Sequence, residues 1–203
     1  MSSRDEILSA IRQRRVRNEK RPSPYRPAPI DGDPVEQFEK RAKSQAAEVR
    51  RIASMDDVPA AVADILRSRN LQAIIHLPST SPSDQLRWQT APGLTQESSP
   101  PGPDDASLAL APFAIAETGT LAYASALDAP ASWHFRAGLE IAVIRAESIL
   151  PHLEEVLSKV KARGEFPRTL NLVTGPSRTG DIEQTLELGA HGPKALAILI
   201  VEN

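Results

Sequence analysis

The chain has 203 residues, 40% of them hydrophobic but only 4% aromatic, and a formal net charge of −2. That length suits one domain, or one domain with a helical appendage, whose core is built mainly from Ala, Leu, Ile and Val. The near-balanced charge excludes a nucleic-acid footprint spread over the whole molecule, and the absence of cysteine excludes a disulfide, a Cys-ligated zinc or a Cys-ligated iron–sulfur cluster in this chain.

The charge is uneven. Residues 1–51 carry 13 Lys/Arg against 8 Asp/Glu, and the remainder 11 against 18. The basic end reads either as a solvated helix face or as a contact for an acidic partner, a membrane surface or RNA. His76, His134, His152 and His191 are scattered, without metal-ligand spacing. No apolar run approaches the ~20 residues of a membrane-spanning helix. The start, Met1-Ser-Ser-Arg-Asp-Glu-Ile-Leu, has no signal-peptide apolar region. A cytoplasmic protein without a membrane span is the expectation.

In chain order, residues 3–20 read as a helix, with Ser3 as a cap, Asp5 and Glu6 in the first turn and basic residues towards the end. Its apolar stripe, Ile7, Leu8 and Ile11, is too narrow to fold alone and must dock on its own domain or on a partner. Pro22, Pro24, Pro27, Pro29 and Pro34 punctuate a linker. These features divide the chain into an N-terminal arm, residues 1–34, and an α/β domain, 35–203. Val35 to about Ala47 reads as a helix and Val49–Ile52 as a short strand. Asp56 or Asp57 caps a helix to Leu66, with Val58, Val62, Ile65 and Leu66 on one face. Leu71–Leu77 is a strand ended by Pro78. The Ser/Pro/Gly-rich stretch 79–105 is a loop, with one short strand near Leu86–Gln89.

Ser107–Ala116 reads as a single buried strand, Thr120–Ser125 as the next after a tight turn at Gly119, and Leu139–Ile144 as another. Ile149–Ala162 is an amphipathic helix with Leu150, Leu153, Val156, Leu157 and Val160 inward, stopped by Gly164. Thr169–Thr174 is a strand, Asp181–Leu188 a helix ended by Gly189, and Ala195–Val201 a final apolar strand. Continuous apolar strands alternating with helices predict an α/β sandwich with a mostly parallel or mixed sheet.

Candidate chemistry gathers in three strand-end turns: Glu117-Thr118-Gly119-Thr120, Gly175-Pro176-Ser177-Arg178-Thr179 and His191-Gly192-Pro193. Ligands of open α/β sheets sit beyond strand C-termini, so the three turns are expected to line one pocket. Glu117 is either a general base or nucleophile or an acceptor for the Gly119 turn. Thr118 and Thr120 either bind a ligand oxygen or brace the turn. Arg178, beside the expected helix start, either holds a carboxylate or phosphate or pairs with Asp181 or Glu183. Ser177 caps that helix and donates to an anion, and Asp181 complements its dipole or serves the ligand. His191 either shuttles a proton or holds its turn, whereas His76, inside a strand, is a packed histidine. Neither a Gly-Lys-Ser/Thr phosphate loop nor a Gly-x-Gly-x-x-Gly turn supports nucleotide binding.

The stretches Ala114-Ile-Ala-Glu-Thr-Gly-Thr-Leu121, Thr174-Gly-Pro-Ser-Arg-Thr-Gly-Asp-Ile-Glu183 and His191-Gly-Pro193 resemble, in order and spacing, the signature of the LUD-domain family. The chain departs from that pattern at Arg136–Ile141, where the family carries Leu-Pro and then His-Ile. The resemblance implies a NagB/RpiA/CoA-transferase-like three-layer sandwich behind an N-terminal helical arm. It also implies a part in oxidising L-lactate to pyruvate. The iron–sulfur clusters would then be carried by partners like lactate utilization proteins A and B, with no cofactor in this chain. This chain would supply a pocket for a small carboxylate or other anion, a docking surface, or both. The oligomeric state stays open. The alternative is a stand-alone enzyme of isomerase or CoA-transferase type, with Glu117 as base or nucleophile, Arg178 as anion anchor and His191 as acid/base.

Overall fold

The computed structural model describes residues 3–14, 23, 25–79, 82–164, 167–180, 186–188 and 192–203. In chain order its elements are α1 (Ser3–Arg14), α2 (Pro34–Ser44), β1 (Glu48–Ile52), α3 (Val58–Ser68), β2 (Ile74–His76), β3 (Thr95–Glu97) and β4 (Ala106–Leu110). There follow β5 (Phe113–Ile115), β6 (Thr120–Ala124), β7 (Leu139–Arg145), β8 (Ile149–Leu150), α4 (Leu153–Ala162), β9 (Leu170–Val173), β10 (Arg178–Gly180), β11 (Leu186–Leu188) and β12 (Ala195–Val201).

Six strands form a parallel sheet in the order β1-β12-β7-β4-β2-β3. Its central strands β7 and β12 are covered on both faces, which is why they read as unbroken apolar runs. Ile141, Val143, Leu199 and Val201 pack with Val58, Val62, Ile65 and Leu66 of α3. Ala142, Ile144, Ile198 and Ile200 point the other way, towards α2 and a second sheet. That second, four-stranded sheet has the order β8-β5-β6-β9, and Val156 and Val160 of α4 close its outer side against Ile115 and Ala122. The layers are therefore α3, the parallel sheet, the small sheet with α2, and α4. Each fully buried aliphatic side chain in these seams contributes about 1.5–3 kcal/mol.

The start of α2 follows from local chemistry. The Asp33 side chain accepts a hydrogen bond from the Val35 amide at 3.0 Å, and Pro34 occupies the first turn, where its missing N–H costs nothing. Phe38 and Ala42, one turn apart, are fully buried and seat the helix on the core.

Several expected elements differ. The apolar run 107–116 is two strands in two sheets, because Pro112 cannot donate to a ladder and the chain changes sheet there. The segment near Leu86–Gln89 is not a strand: Trp88–Thr90 is a 3₁₀ turn, with the Trp88 indole donating to the Ser83 carbonyl at 3.0 Å, and the strand comes later, at Thr95–Glu97. The helix expected from Ile149 starts at Leu153, because Pro151 holds Leu150 extended in β8. Leu157 is 41% exposed rather than inward. The expected helix 181–188 is contradicted at its end: Leu186–Leu188 is a strand paired antiparallel with Arg178–Gly180. The two-residue spacing of Leu186 and Leu188 is the strand period. Residues 181–185 and 189–191 lie outside the described residues, and so do 15–20 of the expected N-terminal helix.

Candidate functional site: a cavity at the strand N-termini and two carboxylate–histidine pairs

The three glycine-containing turns do meet. Thr118 Oγ1 is 2.7 Å from Thr120 Oγ1, which is 2.7 Å from Thr174 Oγ1. Ser177 donates its amide to the Pro193 carbonyl at 2.9 Å, and a Cβ on Gly192 would lie 3.1 Å from Ser177 Cβ. Gly119 and Gly175 answer a packing demand. Both have positive φ, +69° and +75°, and both press on the last turn of α2. A Cβ at Gly119 would lie 2.5 Å from the Ala42 amide nitrogen, and one at Gly175 would collide with the Gln45 carbonyl oxygen.

Thr174, Gly175, Ser177, Arg178 and Gly192, with His134 and Phe135, line a cavity of about 450 Å³. It opens where β7 and β12 begin, not beyond their C-termini as expected: His134 and Phe135 precede β7, and Gly192 and Pro193 precede β12. Among the described residues no helix starts at Ser177, so its expected capping role and the positive dipole end are lost. Ser44 and Gln45, at the carbonyl end of α2, are part of the wall instead, and that end disfavours an anion. Arg178 is exposed at the rim and, among the described residues, is the cation that lines this cavity. Thr179 lies on the same strand, β10. Asp181 and His191 lie outside the described residues.

Glu117 and Thr118 do not line this cavity. Glu117 Oε2 is 2.8 Å from His152 Nδ1. The carboxylate fixes the ring proton on Nδ1, and His152 Nε2 is buried without a partner among the described residues. His152 lines a different, open cavity of about 790 Å³ between the Pro-rich segment 25–34 and α4. The expected single pocket holding both Glu117 and Arg178 is thus two sites, because Glu117 turns towards the start of α4 while the Arg178 turn runs towards β12.

A second carboxylate–histidine pair went unread in the sequence. Glu140, fully buried on β7, lies with Oε1 3.1 Å from His134 Nδ1. The ring of His134 stacks on Tyr123 with centroids 4.0 Å apart. Tyr123 Oη and Glu140 Oε2 are buried without hydrogen-bond partners among the described residues. Burial, reinforced by the nearby Glu140 charge, pushes the Tyr123 phenol well above the usual tyrosine range. The available signal was a carboxylate inside the run Leu139-Glu-Ile-Ala-Val-Ile144, since a fully buried Glu demands a partner. His76 is packed as expected, with Nδ1 at 2.8 Å from the Ser99 carbonyl. Among the described residues no group of His, Asp and Glu is placed to hold a metal, and no helix is long and apolar enough to cross a membrane.

Comparison with known proteins finds likenesses to part of the chain. Residues 104–201 match the LUD domain model. The chain is similar to lactate utilization protein C of Geobacillus kaustophilus (29% identity over 98 residues, 46% of this chain and 41% of that protein). It is similar to lactate utilization protein C of Bacillus licheniformis (34% over 93 residues, 44% and 39%) and to the protein YkgG of Escherichia coli (30% over 97 residues, 46% and 42%). The matched stretch thus spans less than half the length of these relatives. In fold, the chain resembles the crystal structure of a duf162 family protein from Deinococcus radiodurans, with a TM-score of 0.59 at 23% identity, over 83% of this chain and 96% of that one. The parallel sheet from β4 onward, the three turns and the Glu140–His134 pair fall within residues 104–201, the part of the chain that matches the LUD domain model.

Proposed function

We propose that the chain serves lactate utilization as a subunit without a redox centre, in a system that oxidises L-lactate to pyruvate. The observation that carries this reading is the LUD domain match with its relatives named lactate utilization protein C. A chain without cysteine supplies no thiolate for an iron–sulfur cluster, so electron transfer falls to partner proteins. The contribution of this chain is the cavity of about 450 Å³ with Arg178 at its rim, as an anion pocket, and a docking surface on α1. Ile7 and Ile11 of α1 are 58% and 59% exposed, an apolar stripe suited to a partner helix or groove.

The Glu117–His152 pair favours a second reading, a stand-alone enzyme of isomerase or CoA-transferase type. An oriented imidazole beside a carboxylate is the arrangement of a general base. His152 and Arg178 line different cavities, so this reading rests on the pair alone.

The test is lactate-dependent dye reduction by the reconstituted partner proteins, with and without this chain. The lactate reading expects activity that requires the chain and falls at least tenfold with Arg178→Ala. Activity indifferent to the chain removes it from the reaction. A partner-independent activity lost in Glu117→Gln establishes the second reading.

A further inference from the structure

Thr118, Thr120 and Thr174 form a chain of three hydroxyls that ends at the cavity with Arg178 on its rim. Thr118 Oγ1 lies 2.7 Å from Thr120 Oγ1, and Thr120 Oγ1 lies 2.7 Å from Thr174 Oγ1. Both distances are those of good O–H···O hydrogen bonds. Backbone pairing fixes the second link. Leu121 stands opposite Val173 on β6 and β9, so Thr120 and Thr174 follow as the next cross-strand pair. Thr120 is only 4% exposed, whereas Thr118 and Thr174 are exposed. The chain therefore runs from one exposed hydroxyl through a buried one to another, and Thr174 lines the outer cavity, the one at Arg178. An inner cavity of about 240 Å³, lined by Tyr123 and His134, mixes Asp128 with Arg163 and so names no ligand charge. The described lining of the outer cavity holds Arg178 and no carboxylate.

The direction of the chain decides what it offers. A hydroxyl has one proton and two lone-pair positions. Among the described residues Thr118 and Thr174 are the only hydrogen-bond partners of the Thr120 side chain, and a buried donor left unused is costly. Its proton therefore goes to one neighbour or the other. When Thr120 donates to Thr118, Thr174 spends its own proton on Thr120 and offers the cavity only lone pairs. When Thr120 donates to Thr174, the Thr174 proton is free for a ligand, and Thr118 donates into the chain from behind. Each donation polarises the next hydroxyl. An anion beside Arg178 selects the second direction. The carbonyl end of α2 in the same wall is already engaged: the Arg41 carbonyl accepts from the Ser44 hydroxyl at 2.6 Å, and the Ala42 carbonyl accepts from the Gln45 and Ala47 amides at 3.1 Å. Carbonyls so engaged oppose an anion less than free ones. We propose that Thr174 is a ligand-binding hydroxyl of the outer cavity, donating to an oxyanion, and that Thr120 and Thr118 are positioning residues that turn its proton towards that anion. The relay rests on the anion-pocket reading given above, and it adds how Thr118 and Thr120, neither of which lines the cavity, serve the ligand.

The experiment is a ¹H–¹⁵N NMR titration of the full chain with acetate and with inorganic phosphate, read at the amides of Thr174, Gly175 and Ser177. The wild type is expected to saturate at millimolar concentration, with Arg178→Ala weakening both anions about tenfold. Thr174→Val is expected to weaken them about tenfold or more, the loss of a hydrogen bond to a charged group. Thr120→Val, which keeps the shape and removes the hydroxyl, is expected to weaken them about three- to tenfold, and Thr120→Ser to restore binding within about twofold. The decisive variant is Thr120→Val/Thr174→Val: because Thr120 acts only through Thr174, it adds no further loss. Unchanged binding in Thr174→Val, an exposed position whose substitution leaves the core intact, overturns the relay. Additive losses in the double variant overturn it as well, and reduce Thr120 to a brace between β6 and β9. Binding that falls in Arg178→Ala but not in Thr120→Val overturns the relay and leaves the anion pocket standing. No saturable shift in the wild type overturns both.

Discussion

The two positive-φ glycines pressed on α2 allow a sharp test of why the signature turns carry glycine. Gly119→Ala and Gly175→Ala each impose two costs. The first is the left-handed backbone, about 1–2 kcal/mol for a residue with a Cβ. The second is overlap with the helix end: the Gly119 Cβ would stand 2.5 Å from the Ala42 amide nitrogen and 2.7 Å from the Arg41 carbonyl carbon. Both are backbone atoms that no rotamer change can clear, and such overpacking costs about 1–3 kcal/mol more. Gly93→Ala is the internal control, since Gly93 has φ +92° but nothing within 4 Å of an added Cβ, so only the first cost applies. Urea denaturation at constant m-value is expected to give losses of about 2–5 kcal/mol at 119 and 175 and about 1–2 kcal/mol at 93. Equal losses at all three positions would refute the packing explanation.

Three further outcomes are expected. Tyr123 keeps its proton in the folded protein well above the usual tyrosine range, whereas the unfolded chain loses it near pH ~10. Stability therefore declines as pH rises from there, and Tyr123→Phe raises the alkaline unfolding midpoint, read by circular dichroism. Burial works against the Glu48 charge, but hydrogen bonds from Arg69 and Arg50 outweigh it and hold its carboxyl below the usual range. Its contribution is present above pH ~4.3 and is lost as pH falls through the lowered folded value. Glu48→Gln accordingly costs no more than about 1 kcal/mol at neutral pH and less at acid pH, and a loss independent of pH contradicts the pairing. Phe38→Ala, at a fully buried position between α2 and the second sheet, costs about 3–5 kcal/mol in urea denaturation.

What was legible in the sequence followed the strength of local periodicity. β12 matches its expected span because seven apolar residues in a row leave one reading, and α3 presents the expected face because its apolar residues recur at the helical period. Where two sheets share one apolar run, as at 106–115, the sequence holds only the proline to mark the crossing. The hairpin β10–β11 was misread because Gly, Ser and Asp are common both to helix starts and to turns. The three glycine-containing turns were legible because each is a short local motif, but which distant residues meet there was not. Thr120 and Thr174, 54 positions apart, meet because β6 and β9 pair antiparallel with Leu121 opposite Val173.

The Glu140 cluster shows why a site can be overlooked when its members sit in apolar strands. Register, not proximity in sequence, builds it. Parallel pairing sets Glu140 beside Ser107 on β4 and Leu196 on β12, while Tyr123 descends from the other sheet. A carboxylate placed there without a partner would be expelled or protonated. His134, six residues earlier in the 3₁₀ turn Ala131–Phe135, supplies the partner, and in doing so its ring becomes part of the wall of both the inner and the outer cavity. Deleting it by His134→Ala leaves Glu140 buried and unpaired, at a cost of about 3–5 kcal/mol. The double variant His134→Ala/Glu140→Ala, which removes both partners, is expected to be more stable than the single variant. Melting curves of the pair decide it: a double variant less stable than His134→Ala alone would mean that Glu140 has a second partner and that the histidine is not what keeps the carboxylate in the core.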